Sequence, residues 1–425
     1  CDGKDPNKLY VTGPYFTDYE AKDVYNAYLG SSISTLNSAK SQSATDVRHL
    51  ANFVDGLVMN NEFGILERQL ASSASVNTEY TQFDFTIKQN IPWFTYDGAQ
   101  YVAKNTEGQD VPQVVKADDF VNTAEIILNY ANESEIAYMV TMFIDGGWEY
   151  YCYTEMLKLI KDRNTNYAGI NWMTLKSASN DAKATALMTL IAYESGMDPI
   201  DVPLILGEDL ESIANFSRVG VKATSEYGIQ YRLNQPARFF PTLLTYAPFY
   251  PINRAFFSQH KFAGFGTSKE KLLYNGPYLC SEWSDTKVQY TRNENYYNVE
   301  DVHIKTVNYM VAPDTISYAE MREDFESGVI DGFTVAKEDS VGWAQYITGG
   351  TPEAPGSGTV QNPYSPLVNS RELNTIDYTW HFTLNVERET DVSLQPNTIF
   401  GGDSPDYPAS AIANTNKAMK IKEVR

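Results

Sequence analysis

Cysteine and histidine are scarce in this chain, which has three cysteines and four histidines among 425 residues. Three cysteines are too few for a disulfide scaffold. Cys152 (in EYYCY) and Cys280 (in YLCSE) have core-like neighbours, so both are predicted to be small buried residues; a bridge between them is the less favoured alternative. The histidines are scattered, with no His-x-x-x-His spacing and no flanking cysteine, so no metal site is predicted.

Long apolar runs and an excess of positive charge are also lacking. No run approaches about 18 apolar residues, the length that predicts a membrane-spanning helix. The chain has 33 basic and 54 acidic residues and a net charge of −21, which argues against nucleic acid or anionic lipid as a partner, because both need a basic face. A chain of 425 residues is too long for one compact core, so two or more domains are expected.

The sequence also contains no complete set of catalytic residues. Ser258 and Lys261 fit the Ser-x-x-Lys motif of penicillin-recognising enzymes, but the partner triplets Ser-Asp-Asn and Lys-Thr-Gly are absent. The run Gly264–Lys269 lacks the spacing of a phosphate-binding loop. The sequence therefore predicts a protein that is not an enzyme and needs no cofactor.

Hydrophobic periodicity predicts a mixed α/β chain. Phe83, Phe85 and Ile87 alternate with polar residues, which predicts a half-buried strand. Apolar residues at helical spacing favour a helix over Ser43–Met59, and an Ala-rich pattern favours another over Ser177–Ser195. The mixed pattern of Asp18–Leu29 favours a short helix. Residues 99–115 are predicted to be an inserted hairpin, and Ile330–Gly332 to start a strand.

The stretch Leu273–Trp283 (LYNGPYLCSEW) predicts two extended segments around a turn. Asn-Gly tolerates positive φ, and Pro277 fixes its own φ and restricts Gly276. The stretch follows an apolar, proline-rich run at Leu233–Ile252 and precedes Tyr296-Tyr297 and the run Val307–Gly332. Upstream lie SSISTLNSA (Ser31–Ala39), FVDGLVMNNEFG, and Lys116–Phe120 at a helix start.

This ordered set of motifs resembles bacterial extracellular solute-binding proteins of family 5, the oligopeptide- and dipeptide-binding proteins of ATP-driven importers. The resemblance implies a two-lobed α/β fold of the periplasmic-binding-protein-like type II class, with mixed sheets and a hinge. Residues 1–7 are expected to be a tether, 8–285 the first lobe with an elaborated subdomain at about 55–217, and 286–425 the second lobe. Because chains of this family continue beyond this point, the second lobe is expected to be incomplete at its C-terminal end.

The first residue carries a second resemblance. Cys1 is followed by the polar run DGKDPN and is not preceded by Met, which is similar to a mature bacterial lipoprotein. The alternative is a chain boundary that happens to fall at a cysteine. The resemblance implies an extracytoplasmic protein held by lipid on Cys1 at the outer face of the bacterial cell membrane.

The family resemblance also implies the function: capture of peptides in a cleft between the lobes and delivery to the permease and ATPase subunits of an ABC transporter, by a monomer. The alternatives are a receptor of the same fold for a sugar, a nickel complex or haem, and a surface sensor or adhesin without transport. The expected ligand-binding residues are Leu36, Asn37, Tyr246, Phe249, Tyr250, Asn275, Gly276, Tyr278, Trp283, Trp380, Phe382 and Asn385.

Overall fold

Two four-stranded sheets of different topology form the framework. The computed structural model describes residues 10–13, 16–20, 22–41, 43–61, 64–198, 202, 210–313 and 315–368. The chain divides into one unit of residues 1–368 and another of residues 369–425, and every described residue belongs to the first.

The strands and helices alternate irregularly along the chain. The strands are β1 (Tyr10–Gly13), β2 (Phe16–Glu20), β3 (Val24–Leu29), β4 (Val58–Asn60), β5 (Leu66–Arg68), β6 (Ala71–Val76), β7 (Gln82–Ile87), β8 (Val102–Lys104), β9 (Asp110–Pro112), β10 (Val221–Ser225), β11 (Gly228–Arg232), β12 (Tyr278–Trp283), β13 (Lys287–Arg292) and β14 (Thr306–Val311). The α-helices are α1 (Ala44–Phe53), α2 (Ala117–Ile127), α3 (Ala137–Thr141), α4 (Gly147–Lys161), α5 (Asn180–Ser195), α6 (Leu210–Ala214), α7 (Phe240–Leu243), α8 (Arg254–Gly264), α9 (Tyr318–Glu326) and α10 (Ser340–Gly342). Short 3-10 helices cover Tyr130–Asn132, Trp172–Ser177, Phe216–Arg218, Ala247–Phe249, Lys269–Lys271 and Val299–Asp301, and a π-helix covers Trp343–Thr348.

The first sheet is mixed and has the order β12–β13–β14–β3. Its first three strands are antiparallel neighbours, whereas β3 runs parallel to β14, with Val24 opposite Thr306 and Leu29 opposite Val311. The helix expected over Asp18–Leu29 is therefore wrong, because this stretch contains β2 and β3. The backbone of β3 finds its partner in a strand that lies far along the chain, which local periodicity cannot indicate.

Pairing across the chain also changes two other expected elements. The helix expected over Ser43–Met59 ends early, at Phe53. The chain that follows forms β4, which pairs with β5 and does not continue the helix. Ile330–Gly332 does not start a strand. Instead, Asp331 donates its N–H to the Asn26 carbonyl at 2.7 Å, and its Oδ2 accepts the Asn26 N–H at 2.7 Å. The Asn26 N–H of β3 is therefore bound by a side chain and not by the backbone of another strand.

The second sheet is antiparallel, with the order β10–β11–β7–β6. Phe83, Phe85 and Ile87 all point into the core, which confirms the strand predicted from their alternation. The inserted hairpin is confirmed as β8 and β9, and the Ala-rich helix as α5. Helix α2 packs on this sheet.

Two separate cores lie in this unit. The larger one joins both sheets, α1 and α2, whereas the smaller one is built from α4, α5 and α6 around Cys152, Trp172 and Leu187. The elaboration expected at about 55–217 thus has its own core only from α4 onwards, since residues 57–103 contribute to the larger core. Cys152 and Cys280 are both buried and free, as predicted.

The expected boundary between lobes after residue 285 lies in the turn between β12 and β13. These strands are hydrogen-bonded neighbours, so the described residues on both sides of that position share one sheet. The division between compact units falls after Val368, and the lobe boundary after residue 285 stays a prediction. Within the described ranges, no helix is long and apolar enough to cross a bilayer.

Candidate functional site

The carboxyl ends of the two parallel strands mark the candidate site. Strands β3 and β14 end side by side at Leu29 and Val311. In α/β sheets, ligands bind in the crevice outside the carboxyl ends of parallel strands. An open concavity of about 320 Å³ lies at this edge, lined by Tyr28, Pro313, Thr315, Ile316, Glu320, Glu323 and Asp324. The 31–41 loop (residues 31–41), which contains the expected ligand-binding residues Leu36 and Asn37, begins two residues after β3.

The lining of this concavity is acidic. The Tyr28 hydroxyl donates to Asp324 Oδ2 at 2.8 Å, and this bond to a carboxylate raises the tyrosine pKa. Glu320 accepts the Ser317 N–H at 2.7 Å at the start of α9, and the backbone and hydroxyl bonds from Ser317 lower the pKa of Glu320. No basic side chain is among the lining residues, so the concavity favours neutral or cationic groups over anionic ones.

The 31–41 loop has no regular secondary structure, yet it is fixed to α1 by a buried carboxylate. Asp46 lies in the first turn of α1 and is only 3% exposed. It accepts the Ser34 N–H at 2.8 Å, the Ser34 hydroxyl at 2.6 Å and the Ser41 hydroxyl at 2.9 Å. Ser31, Ser32 and Ser34 themselves remain exposed, so the loop presents polar groups from a fixed backbone.

Two further segments hold the same loop. Leu36 donates its N–H to the Gly266 carbonyl at 2.8 Å, and the Asn37 amide donates to the Phe262 carbonyl at 3.2 Å. On the other side, the Ser134 hydroxyl donates to the Ala39 carbonyl at 2.6 Å. A loop anchored from three directions is pre-organised, which reduces the conformational entropy lost when a ligand binds.

Removing the Asp46 carboxylate should loosen this loop. We expect Asp46→Ala to lower the free energy of unfolding by about 2 kcal/mol, because three donors lose their acceptor. Amide hydrogen exchange should become faster in residues 34–41. Asp181→Ala is the matched control, since Asp181 occupies the first turn of α5 but is exposed, and its loss should change stability by only a few tenths of a kcal/mol. Equal effects of the two substitutions would show that Asp46 does not hold the loop.

A second buried carboxylate, Asp55, lies two residues after the end of α1. It is fully buried and accepts three side-chain hydrogen bonds: from Gln69 at 2.7 Å, from the Tyr296 hydroxyl at 2.9 Å and from the Tyr297 hydroxyl at 2.8 Å. Its N–H donates to Asn275 Oδ1 at 2.7 Å. The Asp55 cluster (Asp55, Gln69, Tyr296, Tyr297 and Lys88) therefore joins the end of α1 to segments from both sheets.

Burial dominates the electrostatics of the Asp55 cluster. It raises the pKa of Asp55 to about 7, although the hydroxyls of Tyr297 and Tyr296 and the charge of Lys88 all act to lower it. The Lys88 ammonium lies 4.4 Å from the centre of the Tyr297 ring, and burial lowers the pKa of this lysine. At neutral pH the cluster therefore contains a carboxyl group that is close to its midpoint of ionisation.

The Asn275–Pro277 turn is attached directly to the end of α1. The N–H groups of Asn275 and Gly276 both donate to the Phe53 carbonyl, at 3.1 and 3.0 Å. Asn293 donates its N–H to the Pro277 carbonyl at 2.8 Å and its amide to the Gly276 carbonyl at 3.2 Å. The turn predicted from the sequence is thus the point at which α1 meets the mixed sheet.

Of the nine expected ligand-binding residues that the structure describes, six lie in the interior. Leu36, Asn37, Phe249, Tyr250, Asn275 and Gly276 are buried, Tyr278 and Trp283 are half-buried, and Tyr246 is 36% exposed. The buried ones make packing contacts: a Cβ atom at position 56, for example, would lie 3.1 Å from the Tyr250 ring. None of the nine lines the concavity. Trp380, Phe382, Asn385 and Cys1 lie outside the described residues. Ligand binding stays a prediction for the twelve expected residues, and lipidation stays one for Cys1.

Sequence reasoning missed the residues that organise the site. Asp55 is an acidic residue within an otherwise apolar run, a pattern that indicates a buried carboxylate with partners, whereas Asp46 has polar neighbours and no such signal. Nothing in the sequence links Asp55 to Tyr296, 241 residues away. In the part of the chain that the structure describes, no group of three or more His, Cys, Asp and Glu side chains is arranged to hold a metal ion.

Comparisons with known proteins agree with this architecture. The model of "Bacterial extracellular solute-binding proteins, family 5 Middle" matches residues 66–357. The oligopeptide-binding protein AmiA of Streptococcus pneumoniae is 26% identical over 315 residues, covering 73% of this chain and 37% of AmiA. The oligopeptide-binding protein SarA of Streptococcus gordonii is 27% identical over 292 residues, covering 68% and 33%. The matched part therefore spans about a third of these relatives' length.

Solved structures share the fold. The pheromone receptor PrgZ, described with its mode of peptide binding, superposes with a TM-score of 0.50 at 16% identity, over 73% of this chain and 46% of PrgZ. A periplasmic oligopeptide-binding protein from Borrelia burgdorferi, OppAIV, gives 0.51 at 17% identity, over 73% and 46%. These likenesses confirm the predicted α/β binding-protein fold class. With the family model covering residues 66–357, the chain belongs to the bacterial extracellular solute-binding proteins of family 5.

Proposed function

We propose that this protein captures peptides in a cleft between two lobes, outside the cytoplasm, and delivers them to the permease and ATPase of an ABC transporter. Membership of family 5 carries the proposal, together with the description of AmiA and SarA as oligopeptide-binding proteins. The protein would act as a receptor, holding its ligand without chemical change.

The geometry at the strand ends supports a peptide ligand. A peptide of variable sequence is recognised mainly through its backbone, which needs fixed hydrogen-bonding groups on the protein. The 31–41 loop offers exposed serines on a backbone fixed by Asp46 and by the Gly266 carbonyl. The concavity of about 320 Å³ at the ends of β3 and β14 has room for a side chain of the ligand.

Attachment and assembly are separate parts of the proposal. The protein would be held at the outer face of the membrane by lipid on Cys1 and would act as a monomer. Mass spectrometry of the N-terminal peptide from protein purified out of cells should show a thioether-linked diacylglycerol. A Cys1→Ser variant should leave the membrane fraction, and an unmodified cysteine in a membrane-bound protein would rule out this anchor.

Native mass spectrometry tests the ligand class. The full-length mature protein, purified from cells grown in a peptide-rich medium, should carry a heterogeneous set of short peptides that can be sequenced after denaturation. A single non-peptide mass would keep the fold and replace the ligand class by a sugar, a nickel complex or haem. A protein that is empty and binds no peptide from an added mixture would contradict the proposal and favour a sensor or adhesin.

A further inference from the structure

The last turn of α8 contains a backbone conformation that its sequence does not favour. Lys261 has φ 58° and ψ 172°, although it lies between helical residues. Residues with a Cβ atom disfavour this region, and such outliers persist only where the surrounding structure imposes them. The Lys261 side chain is exposed, so no buried contact of its own accounts for the conformation.

The residue after the outlier is bound to the 31–41 loop. Helix α8 ends at Gly264, so the carbonyls of its last turn, including that of Phe262, have no partner within the helix. The Phe262 carbonyl accepts the Asn37 amide at 3.2 Å, and Gly266 donates its N–H to the Lys271 carbonyl at 2.8 Å. Asn37 is 3% exposed, and its Oδ1 accepts the Ala39 N–H at 3.0 Å. The carbonyl that follows Lys261 is thus joined to the loop through one buried side chain.

Gly266 completes the same attachment. Its φ is +69°, and a Cβ atom at this position would lie 2.3 Å from the Asn37 nitrogen and 2.5 Å from the Leu36 carbonyl carbon. Both are backbone atoms, so neither can move aside without displacing the loop. The Gly266 carbonyl accepts the Leu36 N–H at 2.8 Å and the Thr35 hydroxyl at 3.3 Å. Close approach of two backbones is therefore part of how the loop is held.

We propose that the Lys261–Gly266 turn positions the 31–41 loop for its ligand, and that Lys261 is a positioning residue whose conformation sets ligand affinity rather than fold stability. The inference rests on the proposed peptide-binding function and names the residues that prepare this part of the site. The strained turn keeps Asn37 and the loop backbone in one arrangement before the peptide arrives, so that less order has to be gained on binding.

The test substitutes Lys261 by glycine in the full-length protein. Glycine adopts positive φ without a Cβ clash, but it also allows many other conformations. Lys261→Gly should therefore leave the thermal unfolding midpoint unchanged or raised, and should weaken binding of a synthetic copy of the most abundant peptide released from the wild type by about 5-fold. Amide exchange at Leu36 and Ala39 should become faster.

Arg163→Gly is the matched control. Arg163 is also exposed and has φ 56°, but it follows α4 in the helical elaboration. Its substitution should have a similar effect on the midpoint and should change neither affinity nor exchange in the 31–41 loop. If Lys261→Gly binds the peptide as the wild type does, or if both variants lose affinity equally, the inference is wrong.

Amide hydrogen exchange distinguishes a failure of this inference from a failure of the proposed function. A wild type that binds no peptide overturns the proposed function and the role in affinity with it. Unchanged exchange at Leu36 and Ala39 in Lys261→Gly overturns the positioning role whatever the ligand. Peptide binding by the wild type, together with faster exchange and weaker binding in Lys261→Gly alone, supports both.

Discussion

Replacing Asp55 by alanine should lower the free energy of unfolding by about 3 to 5 kcal/mol, because the substitution breaks a buried polar network by removing its central acceptor. The Gln69 amide and the hydroxyls of Tyr296 and Tyr297, which are themselves half-buried, would lose an acceptor that is fully buried. Urea denaturation at pH 6 measures the loss. Asp118→Ala is the control, since Asp118 is exposed and only pairs with Arg254 at the surface, an interaction worth less than about 1 kcal/mol.

The same carboxyl group makes stability depend on pH in a defined direction. Burial raises the pKa of Asp55 from 3.8 to about 7, so between these values the folded state binds a proton that the unfolded state has released. The contribution of this group to the free energy of unfolding is therefore fully present below about pH 4 and is lost as the pH rises to about 7. At about 1.4 kcal/mol per pKa unit, the loss is roughly 4 kcal/mol. The difference in unfolding free energy between wild type and Asp55→Asn should follow this curve.

The unfolding free energy of wild type has to be compared with that of Asp55→Asn at each pH, because other buried groups titrate in the same range. Burial also raises the pKa of Asp119 and Glu155 to about 7, which adds to the same trend. Burial together with Arg48 lowers the pKa of His49 to about 4, so His49 contributes stability that is lost as pH falls below 6.5. These contributions cancel between wild type and Asp55→Asn. A difference that stays constant from pH 4 to pH 8 would contradict the raised pKa of Asp55.

Gly276→Val should lower the free energy of unfolding by about 3 kcal/mol, because there is no space for a side chain at this turn. A Cβ atom at position 276 would lie 2.8 Å from the Phe53 carbonyl carbon and 3.0 Å from the Asn52 carbonyl oxygen. Moving the turn away would also break the bonds from Asn275 and Gly276 to the Phe53 carbonyl. The loss can be measured by urea denaturation or by the thermal unfolding midpoint.

Gly30→Val is the matched control for this substitution. Gly30 follows β3, is exposed, and has no atom within 4 Å of the position that its Cβ would occupy. Its substitution should change stability by less than about 0.5 kcal/mol. If the two valine variants are equally stable, the close approach between the turn and α1 does not contribute to folding.

Local patterns in the sequence were reliable where local physics is sufficient. Strand β7 followed from alternation, because every second side chain faces the core whatever the partner strands are. The start of α9 has a capping box between Ser317 and Glu320, which satisfies the first free N–H groups within a few residues. The family also followed from the sequence, since motif order survives when individual positions change, and the family model confirms it.

The candidate site was less accessible to sequence reasoning. The expected ligand-binding residues include large aromatic and amide side chains, which suit peptide binding, but Phe249, Tyr250 and Asn275 are buried. An aromatic residue in a strand-rich segment has the same sequence signature in a core as on a binding surface. The exposed groups near the strand ends include serines of the 31–41 loop and the glutamates Glu320 and Glu323, residue types that are common on any surface.

The sequence by itself determined strand β7, the hairpin of β8 and β9, helix α5, the two buried cysteines and the family. These depend on periodicity, composition and motif order, which are properties of neighbouring residues and their sequence. Only the tertiary structure decided that β3 is a strand, that Asp55 meets Tyr296 and Tyr297, and that the Phe262 carbonyl accepts the Asn37 amide. Each of these contacts joins segments more than 200 residues apart, and their energies arise only when folding brings the segments together and excludes water.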